Sequence, residues 1–205
     1  MRRVLRPMRP DEVDSVVTVQ QEGAVAASDI SFPQDAHPFP RAEVQQRWAY
    51  ELSRSDVQCF VVEGPDRVVD GFVAISCNQL LHFGTAKSTW GSGLAGRAHD
   101  EVLDYLREQG HSRAWLSVLE QNGRARRFYE KRGWVPTGRS LQSGFHPIRS
   151  SWATSETSQS GKRLRWCYRR PAREMTFKVT PWIALKPRPG WTDTWRHGCH
   201  TTRRT

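Results

Sequence analysis

Residues 116–134 read LSVLEQNGRARRFYEKRGW, and this stretch decides the fold class. It begins within the run Ala114 to Leu119, which is typical of a buried β-strand, and EQNG then provides turn chemistry. A helix follows, whose apolar side holds Ala125, Phe128 and Tyr129. Gly133 ends this helix, and Trp134 begins another strand. The stretch therefore predicts a strand, a crossover helix and a second strand, which is a unit of an α/β sheet.

Upstream, residues 90–95 read WGSGLA and connect a strand to the most strongly amphipathic helix of the chain. The apolar stripe of that helix consists of Leu94, Ala98, Val102, Leu103 and Leu106. The start of a helix attracts anions, because its first amides are unpaired and its dipole is positive there. A Gly-x-Gly turn is also a common tight connection, so this motif alone indicates an anion site only weakly.

The preceding residues extend the pattern of strands and helices. Two runs of β-branched and aromatic residues predict strands at 59–62 and 68–75, and two shorter runs predict strands at 3–8 and 80–83. Two apolar stripes at helical spacing begin at Val13 and Val44. The predicted order is β-α-α-β-β-β-α-β-α-β. We expect an α/β fold with a central mixed β-sheet and helices on both faces, formed by residues 1–145.

Charge divides the chain into two parts. Residues 1–145 hold 18 Lys and Arg and 18 Asp and Glu, whereas residues 146–205 hold 13 and 3, so the tail carries the whole net charge of +10. We expect this basic, Trp- and Arg-rich C-terminal extension to be poorly ordered. The sequence shows neither an apolar stretch of membrane-spanning length nor a secretion signal, so we expect a cytoplasmic protein without a membrane partner.

Two motifs resemble the GNAT superfamily of N-acetyltransferases. The later motif of that family has Asn, Ala, Tyr, Gly and an aromatic residue in fixed spacing, and the matching residues are Asn122, Ala125, Tyr129, Gly133 and Trp134. The acyl-CoA loop of the family is Q/R-x-x-G-x-G/A. Gly93 and Ala95 match it, whereas Trp90 stands at the first position. The resemblance implies a GNAT-like acyltransferase fold and an enzyme that transfers the acetyl group of acetyl-CoA to a primary amine of a small molecule or protein.

The resemblance also implies a role for each matching position. The residues implied to bind the pyrophosphate of acetyl-CoA are Gly91, Ser92, Gly93, Leu94 and Ala95, through their backbone amides. Those implied to contact its pantetheine arm are Phe83, Gly84, Thr85 and Asn122. Tyr129 is implied to protonate the departing thiolate, because a phenol is neutral at pH 7 and can donate a proton. We expect no metal ion at the site.

The general base is where this sequence departs from the histone-acetylating members of the family. Those proteins have Glu eleven residues before the first position of the loop, and Gln79 occupies that place here. We take His82, on the same strand, as the candidate catalytic base, because an imidazole exchanges protons near neutral pH. Glu63 or Asp70, acting through water, are the alternatives.

Acceptor specificity is expected to come from the loop at residues 28–40. Asp29 and Asp35 lie in this loop, and their carboxylates could attract a cationic amine. An ordinary polar surface loop is the alternative interpretation.

Residues 162–170 read KRLRWCYRR and allow more than one interpretation. Basic and aromatic side chains interleave, as they do on surfaces that bind nucleic acid. Alternatively, one of two alternating runs, Leu164 to Tyr168 or Met175 to Val179, could complete the sheet as the seventh strand that the family has. A third alternative is an unselected tail, such as the product of a shifted reading frame. The alternative to an enzyme is a non-catalytic acyl-CoA-binding or nucleic-acid-binding protein of the same fold, in which Gln79 marks a lost base and the basic tail supplies the partner surface.

Overall fold

A mixed sheet of seven strands forms the centre of the computed structural model, which describes residues 3–28, 38–142 and 162–169. The described residues belong to one compact unit, Met1–Arg169, and the second unit, Arg170–Thr205, lies outside them. The strands are β1 (Leu5–Pro7), β2 (Val57–Glu63), β3 (Val69–Ser76), β4 (Gln79–Thr85), β5 (Arg113–Leu119), β6 (Trp134–Gln142) and β7 (Lys162–Arg169). The helices are α1 (Val13–Ser28), α2 (Arg41–Ser53), α3 (Leu94–Glu108) and α4 (Gly123–Lys131).

The strands lie in the order β1-β2-β3-β4-β5-β7-β6. Every neighbouring pair is antiparallel except β4 and β5, which are parallel and joined by the crossover helix α3. The prediction of a mixed α/β sheet is thus confirmed, as is the order of elements up to β6.

β7, the last strand in chain order, comes from the segment that the sequence predicted to be part of the C-terminal extension. β7 pairs with β5 on one side and β6 on the other, with Trp166 opposite Leu116 and Pro136. Trp166 is 1% exposed, so its ring is part of the core and is not available for stacking on a nucleic-acid base. The interpretation of Leu164 to Tyr168 as a sheet-completing strand is therefore confirmed. The sheet thus includes residues from beyond position 145, the end of the folded domain that the sequence predicted.

Each face of the sheet has its own hydrophobic core. On one face, α1 and α2 pack on strand residues that include Val61, Phe72 and Ala74. On the other face, α3 and α4 pack on residues that include Val62, Val73 and Ile75. Consecutive strand residues alternate between the two cores, as the pleat of a sheet requires. Helices on both faces, as predicted, separate the molecule into an α1/α2 side and an α3/α4 side. None of the described helices is long and apolar enough to cross a membrane.

The parallel strands β4 and β5 pair over a short distance only. Their paired residues are Gln79 with Trp115 and Leu80 with Leu116, and no further pairs follow. Immediately after this point β4 has a bulge, because its register against β3 shifts at Ala74 and Ile75. We call the space beyond Leu80, where the two strands separate, the β4–β5 opening. It lies next to the start of α3.

Candidate active site

Three unpaired backbone amides lie in residues 90–95, which we call the anion loop. Gly91 and Gly93 have φ angles of +87° and +84°, a region that glycine adopts readily and other residues rarely. Among the described residues, nothing accepts a hydrogen bond from the amides of Gly91, Gly93 and Ala95. These N–H groups lie at the positive end of the α3 dipole, so the loop is suited to an anion.

The other two residues assigned to this site use their amides within the protein. Ser92 donates its amide to the Thr89 carbonyl at 3.1 Å, and Leu94 donates its amide to Ser92 Oγ at 3.2 Å. The side chain of Leu94 is buried in the core and fixes the start of α3. The structure thus offers three amides to a ligand where the resemblance implied five.

The edge of β4 forms one wall of the β4–β5 opening. The Ala86 amide donates to the Asp70 carbonyl on the β3 side, at 2.7 Å. Backbone groups of alternate residues point to opposite edges of a strand, so those of Phe83 and Thr85 point toward the opening. Trp90 Nε1 already donates to the Thr85 carbonyl at 3.0 Å, which leaves the Phe83 backbone as the main open hydrogen-bonding position on this wall.

Gly84 has a packing role that the sequence analysis did not foresee. A Cβ atom at this position would lie 2.6 Å from the Phe72 ring, which is part of the α1/α2 core. The glycine therefore allows β3 and β4 to pack closely on that side. The contact with the pantetheine arm that the resemblance implies for Gly84 is compatible with this packing role.

The opposite wall of the opening belongs to α4, whose first turn is held by Asn122. The Asn122 Oδ1 atom accepts a hydrogen bond from the Ala125 amide at 2.9 Å, so Asn122 is the N-cap of the helix. Its Nδ2 group makes no hydrogen bond to the described residues and can still donate to a ligand. The cap and ligand roles of Asn122 are thus compatible.

Tyr129 lies in an aromatic cluster on the α3/α4 side. Its ring centroid is 5.3 Å from that of Phe128, 5.6 Å from that of Trp134 and 6.5 Å from that of His99. Burial raises the pKa of the phenol well above its usual range, so the hydroxyl group stays protonated at neutral pH. Among the described residues, nothing forms a hydrogen bond with this hydroxyl. Tyr129 therefore presents a proton donor that no neighbour in the described protein uses.

A buried hydrogen bond between His99 and Trp134 holds two rings of this aromatic cluster in place. Trp134 Nε1 donates to His99 Nε2 at 2.8 Å, and the His99 side chain is 1% exposed. Burial lowers the pKa of His99 to about 4, so the imidazole is neutral and its proton lies on Nδ1, facing the Asp100 carboxylate at 3.4 Å. His99 thus satisfies the indole N–H group of Trp134, the aromatic residue that ends the family motif.

The buried imidazole of His99 predicts a loss of stability in mild acid. Its pKa is lower in the folded state than the ordinary value of 6.5, so the unfolded chain binds the proton more tightly and stability falls as the pH decreases. We expect the free energy of unfolding to decrease by about 2 kcal/mol between pH 7 and pH 5. Glu12, whose pKa is held at about 2 by Arg6, titrates below this window. Urea unfolding at several pH values measures the decrease.

The control for this prediction is His99→Gln, which keeps a hydrogen-bond acceptor for Trp134 but cannot titrate. Its free energy of unfolding should change by about 2 kcal/mol less than that of the wild type over the same pH range. Parallel curves for the two proteins would show that His99 is not the titrating group.

His82 lies on the other side of the sheet, where α2 supplies it with a partner. His82 Nε2 is 2.8 Å from Glu51 Oε1, and the two side chains are 18% and 12% exposed. The Trp48 ring packs beside the imidazole, with centroids 5.1 Å apart. Glu51 Oε2 is buried and has no hydrogen-bond partner among the described residues. An imidazole held by a carboxylate in this way can accept a proton and stabilise the resulting charge.

Glu51 was missed by the sequence analysis, although a signal was present. It follows Val44 by seven residues and Trp48 by three, so it lies on the apolar stripe of α2. A carboxylate on a buried stripe needs a polar partner, so the position of Glu51 in the sequence already predicted a buried polar contact on this face of α2.

The alternative bases do not lie beside His82. Glu63 forms an ion pair with Arg6 of β1, at 3.0 Å. The Asp70 carboxylate lies against Gly64 in the turn between β2 and β3, and burial raises its pKa. Both carboxylates thus belong to the β1–β2–β3 half of the sheet. Asp29 and Asp35 of the expected acceptor loop lie outside the described residues.

The candidate acid and base approach the opening from opposite faces. His82 belongs to the α1/α2 side, since it contacts Glu51 and Trp48. Its chain neighbour Phe83 belongs to the α3/α4 side, where its ring stacks on Phe128 at 5.8 Å. Tyr129 follows Phe128 in that cluster. The sheet therefore separates a proton acceptor from a proton donor at the place where β4 and β5 part.

Comparisons with known proteins agree with this architecture. Residues 24–134 match the family model described as acetyltransferase (GNAT) family. No curated protein matches the sequence. Many solved structures resemble the fold, and three of them are described below.

The PaiA N-acetyltransferase of Thermoplasma acidophilum, in complex with coenzyme A, has 16% identity and a TM-score of 0.63, over 83% of this chain and 100% of its own. The apo form of YjaB from Escherichia coli has 18% identity and a TM-score of 0.59, over 82% and 98%. A chimera of the Vibrio cholerae spermidine N-acetyltransferase SpeG and hSSAT has 19% identity and a TM-score of 0.57, over 80% and 94%. At these identities the likeness concerns the fold.

Proposed function

This chain belongs to the GNAT family of acetyltransferases, and from that membership we propose that it transfers the acetyl group of acetyl-CoA directly to a primary amine. The observation that carries the proposal is the set of three unpaired amides at the start of α3, beside the β4–β5 opening. An acyl donor with a pyrophosphate and an extended, amide-containing arm has the chemistry that these two features recognise together.

The described residues fit such a donor. The amides of Gly91, Gly93 and Ala95 can hold the pyrophosphate at the positive end of α3. The outward backbone groups of Phe83 and the Nδ2 group of Asn122 can then pair with the amides of the pantetheine arm, as an added strand does at a sheet edge. This arrangement would place the thioester at the opening, between the two proton-transferring side chains.

The positions of His82 and Tyr129 on opposite sides of the opening support a direct reaction between the amine and the thioester. His82 takes a proton from the ammonium group of the acceptor, and the Glu51 carboxylate stabilises the resulting imidazolium. The free amine forms a bond to the thioester carbonyl carbon, the nitrogen releases its second proton to solvent, and the bond from that carbon to sulfur breaks. Tyr129 donates its proton to the departing thiolate, because its phenol is held in the neutral form. The Tyr129 phenolate then recovers a proton from solvent, and the products are an acetylated amine, coenzyme A and one released proton.

The acceptor is proposed only as a primary amine, on a small molecule or a protein. Access from the α1/α2 side follows from the position of His82, since the base must reach the amine. A spermidine N-acetyltransferase chimera is among the structural neighbours, so spermidine belongs in the first panel of acceptors.

Two measurements on the full-length protein test this function. Calorimetric titration with acetyl-CoA should give saturable binding to one site. A thiol-release assay should then detect coenzyme A when spermidine, single amino acids or peptides with free amino termini are added. A protein that does not bind acetyl-CoA at all would contradict the proposal.

The conformation of the anion loop makes a further prediction. Gly93→Val should weaken acetyl-CoA binding by about tenfold or more, because a β-branched residue is strained at a φ of +84° and the loop must change its shape. Gly138→Val is the matched control. Gly138 is also at positive φ, +72°, and at both positions a Cβ atom would meet nothing within 4 Å. Equal losses in the two variants would show that the loop conformation is not needed.

A further inference from the structure

Trp90 and Arg124 form a contact between the anion loop and the first turn of α4. The guanidinium carbon of Arg124 lies 3.7 Å from the centroid of the Trp90 ring, which is the geometry of a cation–π pair. The Trp90 ring is also fixed from the β4 side, because its Nε1 group donates to the Thr85 carbonyl. The indole thus joins the two walls of the β4–β5 opening and holds a positive charge next to Gly91.

The stacked guanidinium keeps its donors available. A guanidinium that lies on a ring uses its face, and its five N–H groups point outward in the plane. Within residues 3–28, 38–142 and 162–169, no carboxylate or carbonyl is bonded to Arg124. Arg132 and Arg6 differ in this respect, since each is paired with an acidic side chain. Arg124 is exposed and therefore presents unused donors to the solvent, at the ring of Trp90, the first residue of the anion loop.

Trp90 stands where the family loop has Gln or Arg, so the loop itself lacks that polar side chain. We propose that Arg124, positioned by the Trp90 ring, binds a phosphate group of acyl-CoA and replaces the missing side chain of the loop from α4. The inference rests on the proposed function, because it takes acyl-CoA as the ligand. It assigns to Arg124 a direct role in binding and to Trp90 the role of positioning it.

Arg124→Gln tests the proposal through the affinity for coenzyme A, which can be measured by calorimetry without turnover. Loss of a hydrogen bond between charged groups should weaken binding by about tenfold. Lys131→Gln is the matched control, because it removes the same charge from the same helix, about 10 Å further along. A loss below twofold in Arg124→Gln, or an equal loss in Lys131→Gln, would overturn the proposal.

A double-mutant cycle tests the role of Trp90. Trp90→Ala should weaken coenzyme A binding severalfold when Arg124 is present and have little further effect in Arg124→Gln, because the ring acts through the guanidinium. Additive losses would overturn the positioning role. Melting temperatures of all variants establish that each protein is folded.

A second ligand distinguishes the phosphate groups. If Arg124 binds the 3′-phosphate, the loss in Arg124→Gln should disappear with 3′-dephospho-CoA; if it binds the pyrophosphate, the loss should persist. Both results support the assignment to a phosphate. A wild-type protein that binds no coenzyme A would overturn the proposed function and this inference together, whereas normal binding by both wild type and Arg124→Gln would overturn this inference alone.

Discussion

Tyr129→Phe is expected to lower kcat by about 10²- to 10⁴-fold, the range over which a positioned general acid contributes. The departing thiolate of coenzyme A needs a proton, and the Tyr129 phenol is a neutral donor, since burial raises its pKa. Phenylalanine keeps the ring in contact with Phe128 and Trp134 and removes only the hydroxyl group. Because no described residue bonds to that hydroxyl, the fold should lose little stability.

The rate of thiol release at saturating acetyl-CoA and amine measures this effect. The affinity for acetyl-CoA should change by less than about threefold, because the phenol acts on the sulfur only as the bond breaks. Tyr105→Phe is the matched control: Tyr105 is another phenol whose pKa is raised by burial, but it packs against Phe60 and lies on α3. An unchanged kcat in Tyr129→Phe would remove Tyr129 from the chemistry.

Local sequence patterns were sufficient to predict the elements around the site. The apolar stripe of α3 depends on residues close in the chain, and Leu94, Ala98, Val102 and Leu106 are all buried as predicted. Gly91 and Gly93 adopt the positive φ angles that a tight connection before a helix requires. These features need no information from distant parts of the chain.

Contacts between distant segments could not be predicted in the same way. The alternation of Leu164, Trp166 and Tyr168 indicated a strand, but it did not show that β7 enters the sheet between β5 and β6. The pairing of Glu51 with His82 joins residues 31 positions apart, on a helix and a strand. Each contact depends on how elements pack, which a local pattern does not encode.

His82→Gln is expected to lower kcat by about 10²- to 10⁴-fold near neutral pH, because the variant cannot take a proton from the attacking ammonium group. This deficit should become smaller as the pH is raised. Without a base, the rate follows the fraction of acceptor that is already deprotonated, which increases about tenfold per pH unit below the pKa of the amine. A pH–rate series of thiol release, compared with wild type, measures both effects. His111→Gln, at a histidine in the turn before β5, is the control.

Glu51 is a positioning residue in this mechanism, and its variants separate that role from a structural one. Glu51→Gln should lower kcat by about tenfold while the KM for acetyl-CoA stays within about twofold, because Glu51 orients the imidazole on the α1/α2 side and does not contact the anion loop. The double variant should be no slower than His82→Gln, since a carboxylate that acts through the imidazole has no effect once the imidazole is gone. Multiplied losses would instead mean that the two side chains act independently, and Glu51 would then become the better candidate for the base.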